Sequence, residues 1–321
     1  MMKTPVGIIG FTGYAGQELL KLLSRHPHVS VSYLGSRRLK FDPKKAASTC
    51  ELLFLALPQG EAMKLAPSML KNPDLRIIDF SGDFRLKSAS VFKQAYGLTH
   101  TAGSWLAKAV YGLPELNREE IPGSRLVANP GCYPTATLLA LAPLAQNHLL
   151  VPGGVIVDAK SGVTGAGRSL KEEMLFCEVN ENFRAYKVDK HQHVPEMEQE
   201  LGRLSGRKVP MTFVPHLAPM NRGLYATVYA TLGKRISEGA LRALYEQHYK
   251  EEPFIRILPK GCWPQVKSVA GTNRCEIGIH WDPSGKKVVL LSAIDNLGKG
   301  ASGQAVQNMN LLLALPETTA L

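Results

Sequence analysis

The sequence predicts an α/β protein of two domains: a parallel sheet with crossover helices, then an α+β domain. Three observations carry this reading. The chain has 321 residues, more than one compact core usually holds. Strand-like and helix-like runs alternate from residue 6 to residue 80, the pattern of a parallel sheet. After residue 132 the rhythm changes to longer helices and loops between separated strands, as in a mixed or largely antiparallel sheet.

In chain order, residues 6–10 read as a short buried strand and 17–25 as a helix after a glycine-rich turn. Strands follow at 29–34, 51–57 and 75–80. In the second half, 155–160, 211–214, 224–232 and 288–294 read as strands, and 300–315 reads as a last helix that returns to the first domain. The expected boundaries are 1–131 with 300–321, and 132–299.

Composition narrows the class. A hydrophobic share of 45% supports a substantial core, and no uninterrupted apolar run reaches the length of about 18 residues that a membrane span needs. Residues 1–9 lack the pattern of a secretory signal. The five cysteines form no C-x-x-C pair, so free thiols in a reducing cytoplasm are expected. The net charge of +11 suits an anionic small molecule, and nucleic acid is disfavoured because the basic residues are scattered.

Between the first strand and helix lies Gly10-Phe11-Thr12-Gly13-Tyr14-Ala15-Gly16. Glycines there permit a tight turn and let amides at a helix N-terminus approach a pyrophosphate, so the first domain is read as a Rossmann-type dinucleotide domain. Where the second strand ends, an acidic residue would bind a ribose 2′-hydroxyl. This chain has Ser36-Arg37-Arg38 instead, which suits a 2′-phosphate and hence NADP.

Asn129-Pro130-Gly131-Cys132-Tyr133-Pro134 precedes the apolar run 136–144. Pro134 suits a first helical turn, which puts Cys132 at or just before a helix N-terminus, where the dipole favours a thiolate. A thiolate beside a nicotinamide points to attack on an activated carbonyl, followed by hydride reduction of the thioester.

Ordered motifs carry a resemblance along nearly the whole chain. They include Gly13-Tyr14-Ala15-Gly16, Ser81-Gly82-Asp83-Phe84-Arg85, Asn129 to Thr135, Lys160 to Arg168, His191-Gln192-His193-Val194-Pro195-Glu196, Pro215 to Gly223 and Gly300 to Asn310. On these the chain resembles the N-acetyl-γ-glutamyl-phosphate reductases of arginine biosynthesis, akin to aspartate-semialdehyde dehydrogenases. The resemblance implies a Rossmann domain plus an α+β domain carrying the subunit interface, an acyl-phosphate substrate, and a dimer or tetramer. It makes Cys132 the nucleophile. It brings Ser161 and Gly162 near the nicotinamide or phosphate, and Asn296 and Lys299 to the cofactor from the second domain.

Two departures from the family pattern stand out. The connection between Arg38 and Cys50 is short, which leaves the adenine side more open, and Gln192 stands where an arginine is usual, so anion binding must fall elsewhere. His193 is preferred as the acid–base, with Glu196 one turn on as its orienter and His191 as the alternative. An extended backbone before Pro195 would point both rings the same way. Asn129, Arg168, Arg184, Glu196 and Arg222 are candidates for substrate contacts. His191, His193 and Glu196 lack a fourth ligand, so no metal is expected. The rival readings are a reductase of carrier-bound aminoadipyl phosphate, an aspartate-semialdehyde dehydrogenase, and a non-catalytic NADP sensor.

Overall fold

The computed structural model describes residues 3–36, 41–188 and 190–321. The chain divides into two compact units, Met1–Gly131 with Ala301–Leu321, and Cys132–Gly300. Among the described residues, no helix is long and apolar enough to cross a membrane.

The first unit is built on strands β1 (Thr4–Ile9), β2 (Val29–Gly35), β3 (Leu52–Leu55), β4 (Arg76–Asp79), β5 (Val110–Tyr111) and β6 (Leu126–Ala128). They form one parallel sheet in the order β2-β1-β3-β4-β6-β5. Strand alternation divides the core between two faces. Leu52 and Phe54 join Val6, Ile8 and Leu19 on one face, and Leu53 and Leu55 join Ile9, Met63 and Phe84 on the other. The last helix, Gly303–Leu312, adds Ala305, Val306 and Met309 to the first of these clusters. It starts three residues later than the sequence suggests, after a π-helical turn at Gly298–Ser302, and ends three residues earlier.

The short link after β2 still contains a helix, Pro43–Thr49. Asp42 caps it by accepting from the Lys44 and Lys45 amides, with Pro43 in the first turn. The Ser81 to Arg85 motif is scaffolding. Asp83 accepts the Gly60 and Met63 amides at 2.7 and 3.0 Å, and Arg85 donates to the carbonyls of Phe80 and Asn129.

The second unit holds β7 (Leu150–Gly162), β8 (Arg184–Ala185), β9 (Met211–Ala218), β10 (Leu224–Leu232), β11 (Ile255–Ile257), β12 (Cys275–Trp281) and β13 (Lys287–Ile294). Their order is β11-β12-β13-β10-β7-β9-β8. The sheet is mixed, as expected: β7 runs parallel to β9 and antiparallel to β10. Sequence reading started β7 five residues late, because Pro152-Gly153-Gly154 looks like a turn. The strand instead runs through it, with Gly153 at φ +72° and a register shift opposite Ala230 to Leu232.

The helix Cys132–Gln146 is almost wholly buried, which its apolar run Leu138–Ala145 requires. Pro143 inside it has no N–H for the carbonyl of Leu139, one turn back. The Tyr249 hydroxyl donates to that orphaned carbonyl, and the Tyr245 hydroxyl donates to Ala140 O at 2.7 Å.

Candidate active site

In the first unit the glycine turn forms a cradle. Gly10 has φ +99°, and a Cβ there would lie 2.1 Å from Ala56 O. A Cβ on Gly16 would lie 2.4 Å from Gly10 O, so both positions need glycine. Gly13 differs, because its nearest neighbour would be Gly10 O at 3.6 Å. It stands at the N-cap of the helix Tyr14–Leu23 with no side-chain cap and no acidic residue in the first turn, Tyr14, Ala15 and Gly16 included. Uncapped amides at a ten-residue helix's N-terminus fit a dinucleotide pyrophosphate. Thr12 lies in the turn, and Ser36 is buried where β2 ends. Arg37 and Arg38 lie outside the described residues.

In the second unit a cleft of about 440 Å³ opens at the start of the helix Cys132–Gln146, with Cys132 in its lining beside Tyr133, Ser161, Tyr186, His191 and His193. Cys132 is half-buried, and Gly300 backs it: a Cβ there would lie 2.8 Å from Cys132 Cβ. Ser161 and Gly162 end β7, where Gly162 N donates to Gly223 O at 2.8 Å and Ser161 is buried.

His191 and His193 lie with ring centroids 4.8 Å apart. The backbone that brings them together is a turn and not the extended segment the sequence suggested. Val194 N donates to His191 O at 3.0 Å, and His193 is already at helical angles as the N-cap of the helix Val194–Ser205. The His193 amide donates to His191 Nδ1 at 3.2 Å. His191 is buried among Tyr133, Tyr186 and Phe213, and burial, then the His193 and Lys187 charges, pushes its pKa down to about 2. It is therefore neutral in ordinary buffers.

Sequence reasoning missed Tyr133 and Tyr186. The Tyr186 hydroxyl donates to Tyr133 Oη at 3.3 Å, and the Tyr133 hydroxyl donates to His216 O at 3.1 Å. Burial pushes both phenols up, so both stay protonated. Tyr133 could have been flagged by its place beside Cys132. Tyr186 could not, because it is placed by the pairing of a two-residue strand, β8, with β9.

Several expected contacts lie elsewhere. Asn129 is buried in the first unit with its side chain engaged, donating to Ala301 O at 2.9 Å and accepting from Asn308 at 3.0 Å. Arg222 pairs with the buried Asp295 at 2.8 Å. Asn296 accepts the Gly223 amide and donates to Thr164. Lys299 is fully buried with its ammonium over the Phe254 ring. Glu196 is buried and Arg168 exposed, and neither lines the cleft, whereas Arg184 does. Among the described residues no group of three or more His, Cys, Asp or Glu could hold a metal ion.

Two family models match successive parts of the chain. Residues 5–44 and 35–124 match the semialdehyde dehydrogenase NAD binding domain, and 132–296 match the semialdehyde dehydrogenase dimerisation domain. The first unit is therefore a nicotinamide-dinucleotide domain and the second a dimerisation domain. An aspartate semialdehyde dehydrogenase II from Vibrio cholerae shares the fold, with a TM-score of 0.74 at 18% identity over 98% of this chain and 99% of that one. An N-acetyl-gamma-glutamyl-phosphate reductase from Pelotomaculum thermopropionicum is 50% identical over 341 aligned positions, covering 100% of this chain and 98% of the relative. One of the same name from Desulforudis audaxviator is 47% identical, covering 98% and 97%. With relatives this similar over nearly their full length, the chain belongs to the N-acetyl-gamma-glutamyl-phosphate reductase family.

Proposed function

We propose that this protein reduces N-acetyl-γ-glutamyl phosphate to N-acetylglutamate 5-semialdehyde through a thioester on Cys132, with NADPH as reductant, in arginine biosynthesis. One observation carries the reading: among the described residues, the one cysteine that lines the cleft opens a buried helix beside two histidines held in contact.

The helix N-terminus favours the thiolate of Cys132. Its sulfur attacks the acyl carbon, the bond from that carbon to the phosphate oxygen breaks, and inorganic phosphate leaves with the electron pair. When bound, the reduced nicotinamide supplies hydride. The oxyanion formed on the former acyl carbon takes a proton from His193, which later removes it as the carbon–sulfur bond breaks and the aldehyde departs. His191 suits donation and not proton exchange: its Nδ1 accepts an amide hydrogen, so its proton sits on Nε2, and burial keeps it neutral. In the first unit, Gly10, Gly13 and Gly16 would seat the pyrophosphate. Ser36-Arg37-Arg38, lacking an acidic residue, favours NADPH over NADH.

The dimerisation domain supports a homo-oligomer, a dimer or tetramer. Leu170, Leu175, Phe176 and Phe183 expose large apolar side chains along one stretch of that domain, as a subunit contact would require. A biosynthetic reductase of this kind, with cysteines not joined in disulfides, suits the cytoplasm.

The deciding assay runs in reverse, with N-acetylglutamate semialdehyde, phosphate and NADP, against a carrier-linked aminoadipate semialdehyde. Efficient turnover of the free semialdehyde with modest salt dependence is expected. Negligible activity on it, with salt-sensitive activity on the carrier-linked compound, overturns the substrate assignment.

A further inference from the structure

We infer that Lys187 is the cation that holds the phosphoryl group of the acyl phosphate, an assignment that rests on the reductase reading above. Lys187 lines the cleft immediately after Tyr186. Its backbone has φ +48°, a region costly for a residue with a Cβ. Among the described residues four other non-glycine positions share a positive φ, His148, Glu181, Ala314 and Ala320, and none of them lines the cleft. Such strain persists where surrounding structure holds a residue for a purpose. Here it turns the chain so that Lys187 follows Tyr186 into the cleft wall.

The ammonium is poorly satisfied where it sits. Lys187 Nζ donates to Gln192 Oε1 at 3.4 Å, a long bond to a neutral acceptor. Gln192 stands between His191 and His193, so the charge is anchored at the two histidines. The lowering of the His191 pKa by Lys187 agrees with that proximity. The other cleft cations have partners of their own: Lys171 pairs with Glu173 at 3.9 Å, and Arg184 donates to the Glu173 carbonyl at 2.7 Å.

The chemistry selects the phosphoryl group over the substrate carboxylate. Phosphate is bonded to the carbon that Cys132 attacks, so it must lie beside the thiol and the histidines, whereas the α-carboxylate is several bonds away. A lysine ammonium serves as a point charge for phosphate. It also stabilises the charge that grows on the leaving oxygen as the bond to carbon breaks.

The reverse reaction separates the two anions, because phosphate and semialdehyde are then different substrates. With Lys187→Met, KM for inorganic phosphate should rise about tenfold or more, the usual scale for losing a charge-assisted hydrogen bond. KM for the semialdehyde and for NADP should stay within about twofold, on the same scale. Lys187→Arg should restore most of the phosphate affinity. Gln192→Glu, which gives the ammonium a carboxylate partner in the folded protein, should also raise KM for phosphate and keeps the test open if Lys187→Met fails to fold. An unchanged phosphate KM in these variants, or a rise confined to the semialdehyde KM, overturns the Lys187 assignment and leaves the reductase reading standing. Absence of phosphate-dependent turnover in the wild type overturns both.

Discussion

The amide of His193 donates to Nδ1 of His191 at 3.2 Å, so the turn that joins the two residues also sets the tautomer of the first ring. Two histidines two residues apart thereby acquire different chemistry. His191 is neutral and walled by aromatic rings, and in the proposed mechanism His193 is the proton carrier.

Replacing His193 with Asn should lower turnover by about 10²–10⁴-fold, the ordinary scale of lost acid–base catalysis. His191→Asn should act mainly on KM for the acyl substrate. Steady-state kinetics on both variants checks this, and a reversal of the two effects exchanges their roles.

The same pair predicts a pH dependence of stability. The folded His191 pKa, pushed down to about 2, lies below its ordinary 6.5, so the unfolded chain binds the extra proton first. Stability from this group is complete above about pH 6.5 and declines as pH falls toward 2, by up to about 1.4 kcal/mol per pH unit. Urea titrations between pH 7 and 4 should show a shallower decline for His191→Asn than for the wild type. Parallel curves would contradict the neutral, buried assignment.

Cys132→Ser should abolish reduction while leaving NADPH binding by fluorescence nearly unchanged, because in the proposed thioester route the thiol forms the covalent bond and does not hold the cofactor. Alanine at Cys50, Cys177, Cys262 or Cys275 should have no comparable effect. Cys50 and Cys275 are buried, with burial pushing the Cys50 thiol up to about 11, Cys177 and Cys262 are exposed, and none of the four lines the cleft. Activity of the serine variant within about tenfold of wild type would contradict the thioester route.

Tyr249→Phe should destabilise the protein by about 1–3 kcal/mol, the cost of leaving the Leu139 carbonyl unpaired beneath Pro143. Denaturant midpoints at constant m-value measure it. A Tyr249→Phe, Pro143→Ala double variant should recover part of the loss, since alanine returns an N–H to that carbonyl.

The wild type should show higher kcat/KM with NADPH than with NADH, and joint replacement of Arg37 and Arg38 by Ala should narrow the ratio. Equal efficiency with both cofactors would remove the ground for assigning the 2′-phosphate to Ser36-Arg37-Arg38.

What the sequence by itself determined is what neighbouring residues dictate. Alternating buried strands, the Gly10 to Gly16 turn and a Pro-Gly-Cys turn before an apolar run each act within a few residues, so the parallel unit and the helix opening at Cys132 were legible. Tertiary structure decided where each polar side chain spends its hydrogen bonds. Asn129 and Arg222 look like ligands for a substrate in the sequence, yet one bonds to Ala301 and Asn308 and the other to Asp295, partners far along the chain. Nothing in the sequence singles out Tyr186 and Lys187, but the pairing of β8 with β9 carries them to the cleft. Periodicity reports which face a residue turns to the core. It does not report which distant group satisfies a buried donor or acceptor, because that depends on contacts between segments that only the folded chain brings together.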